Sequence, residues 1–309
     1  MKTINYFVLI TLIILCSCKS GNASGQEKAE VKDSIRKFVY TEIPTMYTEP
    51  EQRANFLAKH YWENFNFADT NYINLPEVTE QAWADFLNIL PITSPDTAGE
   101  AIETVFKKAA VDKKMYRHFI DLADKYLYDP NSPFRNEEYY ISVLESMING
   151  DVLEDIEKIR PKDRLNMAFK NRLGTKATNF TYTLESGKQG TLYSIKTEYT
   201  LVFFNNPGCS ACLEAIDQMK FSLPILQGVM DKKITILAMY ADEDKEEWSK
   251  HKKDIPKEWI NGYDKSFIIE SKRLYNLRAM PSLYLLDKEK KVLLKDTTVS
   301  AIEAYLKNK

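Results

Sequence analysis

One short segment restricts the fold of this chain more than any other. The apolar run of residues 199–204, "YTLVFF", is followed by "NNPGCSAC", in which two residues separate two cysteines. The apolar run predicts a buried strand. Pro207 and Gly208 predict a sharp turn, and the cysteines begin a segment with helical character. We therefore expect a strand, a turn and a helix that begins at the cysteine pair.

The positions of Cys209 and Cys212 suit thiol–disulfide exchange. A thiol attacks a disulfide as the thiolate, and the N–H groups and dipole of a helix N-terminus favour negative charge there. Cys209 lies at the predicted helix start, and Cys212 lies one turn further, near enough to form a disulfide with it. This arrangement predicts that Cys209 is the nucleophile and that Cys212 is the resolving cysteine.

Two other uses of a Cys-x-x-Cys pair fit the sequence less well. A structural zinc site needs four ligands, and the three histidines, His60, His118 and His251, each stand alone on a helical stretch. A structural disulfide across so short a loop removes little chain entropy. The sequence therefore predicts a redox-active disulfide between Cys209 and Cys212, with no metal and no organic cofactor.

The N-terminus has the features of a lipoprotein signal. Lys2 precedes an apolar stretch of signal-peptide length that ends in Leu15-Cys16-Ser17-Cys18. This ending resembles a bacterial lipobox, and an ordinary secretory signal is the alternative. We predict a signal peptide over residues 1–17, a lipid on Cys18 and a polar, flexible tether over residues 18–33. Several acyl chains would hold the exported protein on a membrane, facing the periplasm.

Composition narrows the partners and the role of the cysteines. The formal net charge of −2 over 309 residues gives no reason to expect a nucleic-acid partner. Cys16 leaves with the predicted signal peptide and Cys18 takes the lipid, so one pair remains for the folded part. An exported chain with a single pair does not use disulfides as a framework, and the pair therefore has a local role.

Hydrophobic periodicity divides the remaining chain into two parts. Residues 34–172 repeat apolar positions at helical spacing and predict about six helices in a small bundle. Residues 173–309 alternate strands with helices, one of them predicted over residues 266–277. This order indicates a mostly parallel sheet with an antiparallel hairpin at one edge. The expected fold class is α plus α/β: a helical bundle, then an α/β sandwich with a mixed central sheet.

The second part resembles the thioredoxin fold. The resemblance covers residues from about 174 to 309, and it depends on the strand–CxxC–helix order and on Met280-Pro281-Ser282 before "LYLLD". In thioredoxin-like proteins this proline is cis and lies against the cysteines, and the neighbouring backbone binds the substrate peptide. The resemblance implies that Pro281 is cis and that Met280, Pro281 and Gly208 contact the substrate.

The lipid anchor and the helical insertion after "ITILAMYA" resemble the TlpA/ResA-like group of exported oxidoreductases. The whole architecture resembles lipoproteins of Gram-negative gut anaerobes, in which a helical domain precedes a thioredoxin-like domain. The resemblance implies a membrane-anchored thiol–disulfide oxidoreductase that acts on protein disulfides as a reductant or an isomerase. Another redox protein, membrane-bound or soluble, would recycle the cysteine pair.

The sequence departs from the family pattern near the cysteines. Gly208 replaces the aromatic residue that usually precedes the first cysteine, and Ser210-Ala211 replaces a pair that often contains proline. The buried acid that assists proton transfer in many thioredoxins falls at Phe203, which has no ionisable group. Glu214 and Asp217 are candidates for proton transfer in its place, or else solvated charges on the helix.

These departures keep alternative functions open. The first is a binding or scaffold lipoprotein whose thioredoxin-like domain recognises peptides without redox turnover. The second is a redox or metal-stress sensor whose helical part reports the thiol state. The turn within residues 126–140 is rich in aromatic residues and is a candidate for docking against the redox site or a partner.

Overall fold

The computed structural model describes residues 37–309. The predicted signal peptide, the lipidated Cys18 and the tether over residues 18–33 lie outside the described residues and stay predictions.

Six α-helices form the first part of the described chain, as the periodicity predicts. Short polar side chains begin three of them by accepting backbone N–H groups: Ser94 from Thr97, Asp112 from Met115 and Asn136 from Tyr139. The apolar faces enclose one core around Trp83, Phe86 and Phe119. The helices are α1 (Pro50–His60), α2 (Thr79–Ile89), α3 (Pro95–Ala109), α4 (Lys113–Ala123), α5 (Glu137–Asn149) and α6 (Ile159–Phe169).

A seven-stranded sheet with five further helices forms the second part. The strand order is β2-β1-β5-β4-β3-β6-β7. The strands are β1 (Thr181–Thr183), β2 (Gln189–Thr191), β3 (Tyr199–Phe204), β4 (Ile234–Tyr240), β5 (Ile260–Tyr263), β6 (Ser282–Leu286) and β7 (Val292–Leu294). The helices are α7 (Ser210–Phe221), α8 (Leu223–Met230), α9 (Lys245–His251), α10 (Ile268–Ser271) and α11 (Val299–Lys307).

The mixed central sheet is confirmed, but the prediction that it is mostly parallel is wrong. Only the β3–β4 and β4–β5 pairs are parallel, whereas β3–β6, β6–β7, β1–β2 and β1–β5 are antiparallel. The helix predicted over residues 266–277 is the single turn α10, after which Arg273 adopts a left-handed conformation. Without a full crossover helix after β5, the chain enters β6 in the opposite direction.

Strand β5 was not predicted from the sequence, because Asn261-Gly262 is a pair typical of turns. The structure shows why glycine suits this strand. A Cβ atom on Gly262 would lie 3.0 Å from the Cβ of Tyr182, which belongs to the neighbouring β1. A close approach of this kind is one of the reasons for glycine inside a strand.

Charged groups join the helical part to the sheet part. The Lys295 ammonium, whose side chain is 5% exposed, lies 2.5 Å from the Glu137 carboxylate. It also donates hydrogen bonds to the carbonyls of Ala168 and Lys170, at 2.8 and 2.6 Å. Arg273 binds Asp163 through two hydrogen bonds. Lys37–Lys309 form one compact unit, and the domain boundary between residues 172 and 173 stays a prediction.

Within residues 37–309, none of the helices is both long enough and apolar enough to cross a membrane.

Candidate functional site

The local sequence between β3 and α7 places the two cysteines at the end of the central strand. Thr200 to Phe204 are all buried, so the side chains on both faces of β3 lie in the protein interior. Gly208 then adopts a φ of +70°, a conformation that glycine reaches without a Cβ clash. This turn brings Cys209 to the N-cap of α7.

Cys209 and Cys212 form a disulfide, with their Cα atoms 5.2 Å apart. The two sulfurs differ in exposure: Cys209 is half-buried, whereas Cys212 is only 2% exposed. The backbone N–H of Cys212 lies 3.1 Å from the Cys209 sulfur and donates toward it. The predicted nucleophile is thus the accessible cysteine, and the predicted resolving cysteine is the buried one.

The Met280–Pro281 peptide bond is cis, as the resemblance implies. The Cys209 sulfur lies 3.8 Å from the Met280 carbonyl oxygen, and Ser282 pairs with Phe204 in the adjacent strands β6 and β3. The proline segment, 71 residues from the cysteine in sequence, is therefore placed against it by the pairing of two strands.

The two candidate carboxylates bond to other side chains of their own helix. Phe203, at the position of the thioredoxin acid, is fully buried and lies 6.3 Å from the Trp259 ring. Glu214 and Asp217 lie on the exposed side of α7. Glu214 accepts a hydrogen bond from Gln218, and Asp217 pairs with Lys220. These contacts match solvated helix charges, and the role of the two carboxylates in proton transfer stays a prediction.

A histidine that the sequence did not single out lies beside the site. His251, the last residue of α9, packs its ring toward Gly208: a Cβ atom on Gly208 would lie 3.8 Å from Cε1 and 4.0 Å from Nε2. The only sequence signal was its location in the helical insertion after β4. Among residues 37–309, no group of three or more His, Cys, Asp or Glu is placed to hold a metal ion.

The aromatic turn of the helical part contacts the segment that precedes the cis proline. The Arg278 guanidinium donates to the Tyr128 carbonyl at 2.5 Å and lies 4.0 Å from the centre of the Tyr128 ring. The Asp296 carboxylate forms an ion pair with Arg135 at 3.3 Å and accepts a hydrogen bond from the Ser282 hydroxyl at 3.2 Å. Residues on both sides of Met280–Pro281 are therefore linked to the helical part, directly or through Asp296.

Gly208→Ala is expected to lower the free energy of unfolding by about 1–2 kcal/mol, because a Cβ disfavours the left-handed conformation. The added Cβ causes no steric clash, since it meets His251 only at ordinary contact distance. Gly187→Ala is the matched control, with a φ of +82° and open space around it. Urea unfolding should show a similar decrease in the free energy of unfolding for both variants. An unchanged free energy in Gly208→Ala would contradict the argument that the left-handed turn at residue 208 favours glycine.

Comparisons with known proteins agree with this architecture. Residues 16–171 match the family described as "Domain of unknown function (DUF5106)". A crystal structure of a thioredoxin-like protein from Bacteroides caccae is 57% identical in sequence, with a TM-score of 0.86. The match covers 89% of this chain and 99% of that chain.

Other matches cover less than half of this chain. The C-terminal domain of an uncharacterized protein from Bacteroides fragilis is 58% identical over 45% of this chain and 99% of its own, with a TM-score of 0.44. A domain of a "possible thiol-disulfide isomerase" from Cytophaga hutchinsonii is 28% identical over 44% of this chain and 91% of its own, with a TM-score of 0.39. No curated protein matches the chain. The chain therefore belongs to the DUF5106 family and, by its likeness to the Bacteroides caccae protein, to the thioredoxin-like proteins.

Proposed function

We propose that this protein is an exported, membrane-anchored thiol–disulfide oxidoreductase that acts on protein disulfides through Cys209 and Cys212. A thioredoxin-like fold supports a redox function in general. The observation that supports this specific activity is the disulfide itself: it joins an accessible N-cap cysteine to a buried one, opposite a cis proline.

The environment of Cys209 favours its thiolate. In the reduced protein, the N–H of Cys212, now 3.1 Å from the sulfur, would donate to a negative charge at the N-terminus of α7. A helix dipole and a backbone donor both stabilise an anion at this position. A stabilised thiolate at an accessible position is the species that attacks a disulfide.

The proposed cycle balances two electrons. The Cys209 thiolate attacks one sulfur of a partner disulfide, and the other partner sulfur leaves as a thiolate. The Cys212 thiolate then attacks Cys209, the Cys209–partner bond breaks, and the partner is released as a dithiol. The protein is left oxidised, as a Cys209–Cys212 disulfide, and a dithiol protein must reduce it again. No metal or organic cofactor takes part in this scheme.

Substrate peptides would bind beside the cis proline. The Met280 carbonyl lies 3.8 Å from the Cys209 sulfur, so backbone groups of Met280 and Pro281 are placed to pair with an extended peptide whose disulfide reaches Cys209. Gly208, with no side chain, leaves access from the other side. A lipid on Cys18 would keep this site near the membrane on the periplasmic side, where a membrane or soluble redox partner recycles it.

The alternative function, a peptide-binding scaffold without turnover, has one specific observation in its favour. Phe203 places a fully buried aromatic ring where a thioredoxin acid would assist proton transfer. A scaffold has no need for such an acid, nor for a stabilised thiolate. The thiol pKa of Cys209 therefore distinguishes the two functions: it is expected to be lowered in an oxidoreductase and ordinary in a scaffold.

Glutathione titration tests the proposal. We would use the full chain in detergent, with Cys16→Ser and Cys18→Ser so that only the pair reacts. A reversible disulfide with a potential of about −270 mV or lower supports a reductant, and one between about −120 and −180 mV supports an oxidase or an isomerase. If no reversible disulfide forms, the oxidoreductase proposal is wrong and the scaffold takes its place.

A further inference from the structure

We infer that His251, held by Asp254, is the group that takes the proton from Cys212 when this cysteine resolves a mixed disulfide. The inference rests on the proposed function and supplies its missing acid–base partner. A general base must lie within hydrogen-bond reach of the proton, directly or through one water molecule. His251 and Cys212 line one small cavity, which offers a route through a single water molecule.

The imidazole of His251 lies between two carboxylates. Nδ1 is hydrogen-bonded to Asp254 at 3.0 Å, and Nε2 lies 3.3 Å from a carboxylate oxygen of Glu247. The bond to Asp254 favours the tautomer with its proton on Nδ1, which leaves Nε2 as the acceptor. Once Nε2 accepts a proton, its N–H can donate to the Glu247 carboxylate while Nδ1–H stays bonded to Asp254.

The position of His251 is fixed by the neighbouring strand. Trp248, one turn earlier in α9, is buried and donates its ring N–H to the Asn261 side chain of β5 at 2.9 Å. The Asn261 amide in turn donates to the Lys252 carbonyl at 3.2 Å. These bonds hold the end of α9 and the 3-10 turn after it against the sheet, so His251 keeps its orientation toward Gly208.

A cavity of about 20 Å³ joins His251 to Cys212, and both residues line it together with Asn205 and Asp254. This volume accommodates about one water molecule, and the amide of Asn205 and the carboxylate of Asp254 are polar partners for it. One water molecule there would carry the proton from the buried Cys212 thiol to the imidazole. Phe203, which occupies the position of the thioredoxin acid, cannot serve this purpose.

Other charges around the imidazole are few and already paired. On α9, Lys250 lies 3.0 Å from the second oxygen of Glu247. Lys252, which follows His251, pairs with Glu185. From β5 and the segment after β3, the polar side chains that line the cavity are the neutral Asn205, Asn206 and Asn261. The carboxylates in direct contact with the imidazole are thus Glu247 and Asp254, and the Cys212 thiol lies across the cavity.

The transfer is a balanced step. The Cys212 S–H bond breaks, its proton passes through the water molecule to Nε2, and the thiolate attacks the Cys209 sulfur of the mixed disulfide. The Cys209–Cys212 bond forms as the bond to the partner breaks. The departing partner thiolate takes a proton from the imidazolium or from water, and His251 is neutral again.

Two-phase reaction with 5,5′-dithiobis(2-nitrobenzoate) tests this role. Attack by Cys209 releases the first thionitrobenzoate, and resolution by Cys212 releases the second. An unassisted thiol is only a few per cent ionised at pH 7. His251→Asn in the reduced full chain, with Cys16→Ser and Cys18→Ser, should therefore slow the second phase about tenfold at pH 7. The first phase should change less than about twofold, since the cavity adjoins Cys212 rather than Cys209.

Two further variants sharpen the test. Asp254→Asn should alter the pH profile of the second phase, because Asp254 is a positioning residue that acts through His251. His60→Asn is the matched control: its imidazole also contacts a nearby carboxylate, that of Glu63 at 2.5 Å, but on a helix of the first part. It should leave both phases unchanged. If His251→Asn unfolds, His251→Gln and Asp254→Asn provide the same comparison.

The outcomes separate this inference from the proposed function. If wild type releases thionitrobenzoate in two phases and His251→Asn has the same rate for the second phase, the role of His251 is wrong. The oxidoreductase proposal then still stands. Equal slowing of both phases would also overturn the role of His251. A wild-type chain that releases no thionitrobenzoate would refute the oxidoreductase proposal and this inference together.

Discussion

Cys209→Ser is expected to abolish reduction of a protein disulfide, by about 10³-fold or more, since a serine hydroxyl does not replace a thiolate nucleophile. Cys212→Ser is expected to keep the first attack and to lose resolution. The Cys212→Ser chain should therefore accumulate mixed disulfides with its partners. The different exposure of the two sulfurs, half-buried for Cys209 and 2% for Cys212, is the structural reason for this asymmetry.

The measurement uses reduction of insulin, followed by turbidity, and non-reducing gels of membrane extracts. The full chain with Cys16→Ser and Cys18→Ser is the reference, so that no other thiol contributes. Equal trapping by Cys209→Ser and Cys212→Ser would contradict the assigned roles. Full turnover by Cys209→Ser would show that the disulfide is not the reactive group.

Lys295→Met is expected to lower the free energy of unfolding by about 3–5 kcal/mol at neutral pH. Removal of one partner leaves a largely buried carboxylate without its closest cation, and this is the costly way to break a buried ion pair. Here the carboxylate is Glu137, whose side chain is 23% exposed. The carbonyls of Ala168 and Lys170 would also lose their donor.

The loss should depend on pH. Burial raises the pKa of Glu137, and Lys295 opposes that rise, so the variant should hold this pKa higher still. A carboxyl whose folded pKa exceeds its unfolded pKa stabilises the fold at low pH, and this contribution is lost as pH rises through the folded pKa. The difference between Lys295→Met and wild type should therefore be smaller at pH 5 than at pH 8 in urea unfolding.

Two variants make this test specific. Glu137→Gln combined with Lys295→Met should recover a large part of the stability, because the double variant has no uncompensated charge. Lys113→Met is the matched control: it removes an exposed ammonium 3.4 Å from Glu157 and should cost less than about 1 kcal/mol. A loss in Lys295→Met no larger than in this control, or one independent of pH, would contradict the argument.

The elements built from neighbouring residues were predictable from the sequence. The order of β3, the turn at Gly208 and the start of α7 follows from the apolar and turn residues of positions 199–212. The six helices followed from periodicity, and the cis conformation of Pro281 followed from the thioredoxin resemblance.

The features that escaped prediction depend on residues far apart in sequence. Glycine at position 262 favours a turn when it is considered alone. Its place in β5 is explained by the Tyr182 side chain on the neighbouring strand, which leaves little room for a Cβ atom. His251 has no local signal, since its relation to Cys212 arises from the packing of α9 against the end of β3. The ion pair of Glu137 and Lys295 joins two ordinary surface-type residues that periodicity cannot connect.

The core of the helical part, described above, is separate from the buried clusters of the sheet part. Among the described residues, the buried cluster of the helices draws on positions up to Leu153, and the clusters of the sheet begin at Ala177. A substitution that alters the packing of one core is therefore expected to leave the packing of the other cores unchanged. We therefore expect a change in the packing of the helical part to leave the sheet part unaltered, provided that the charge pairs between the two parts are kept.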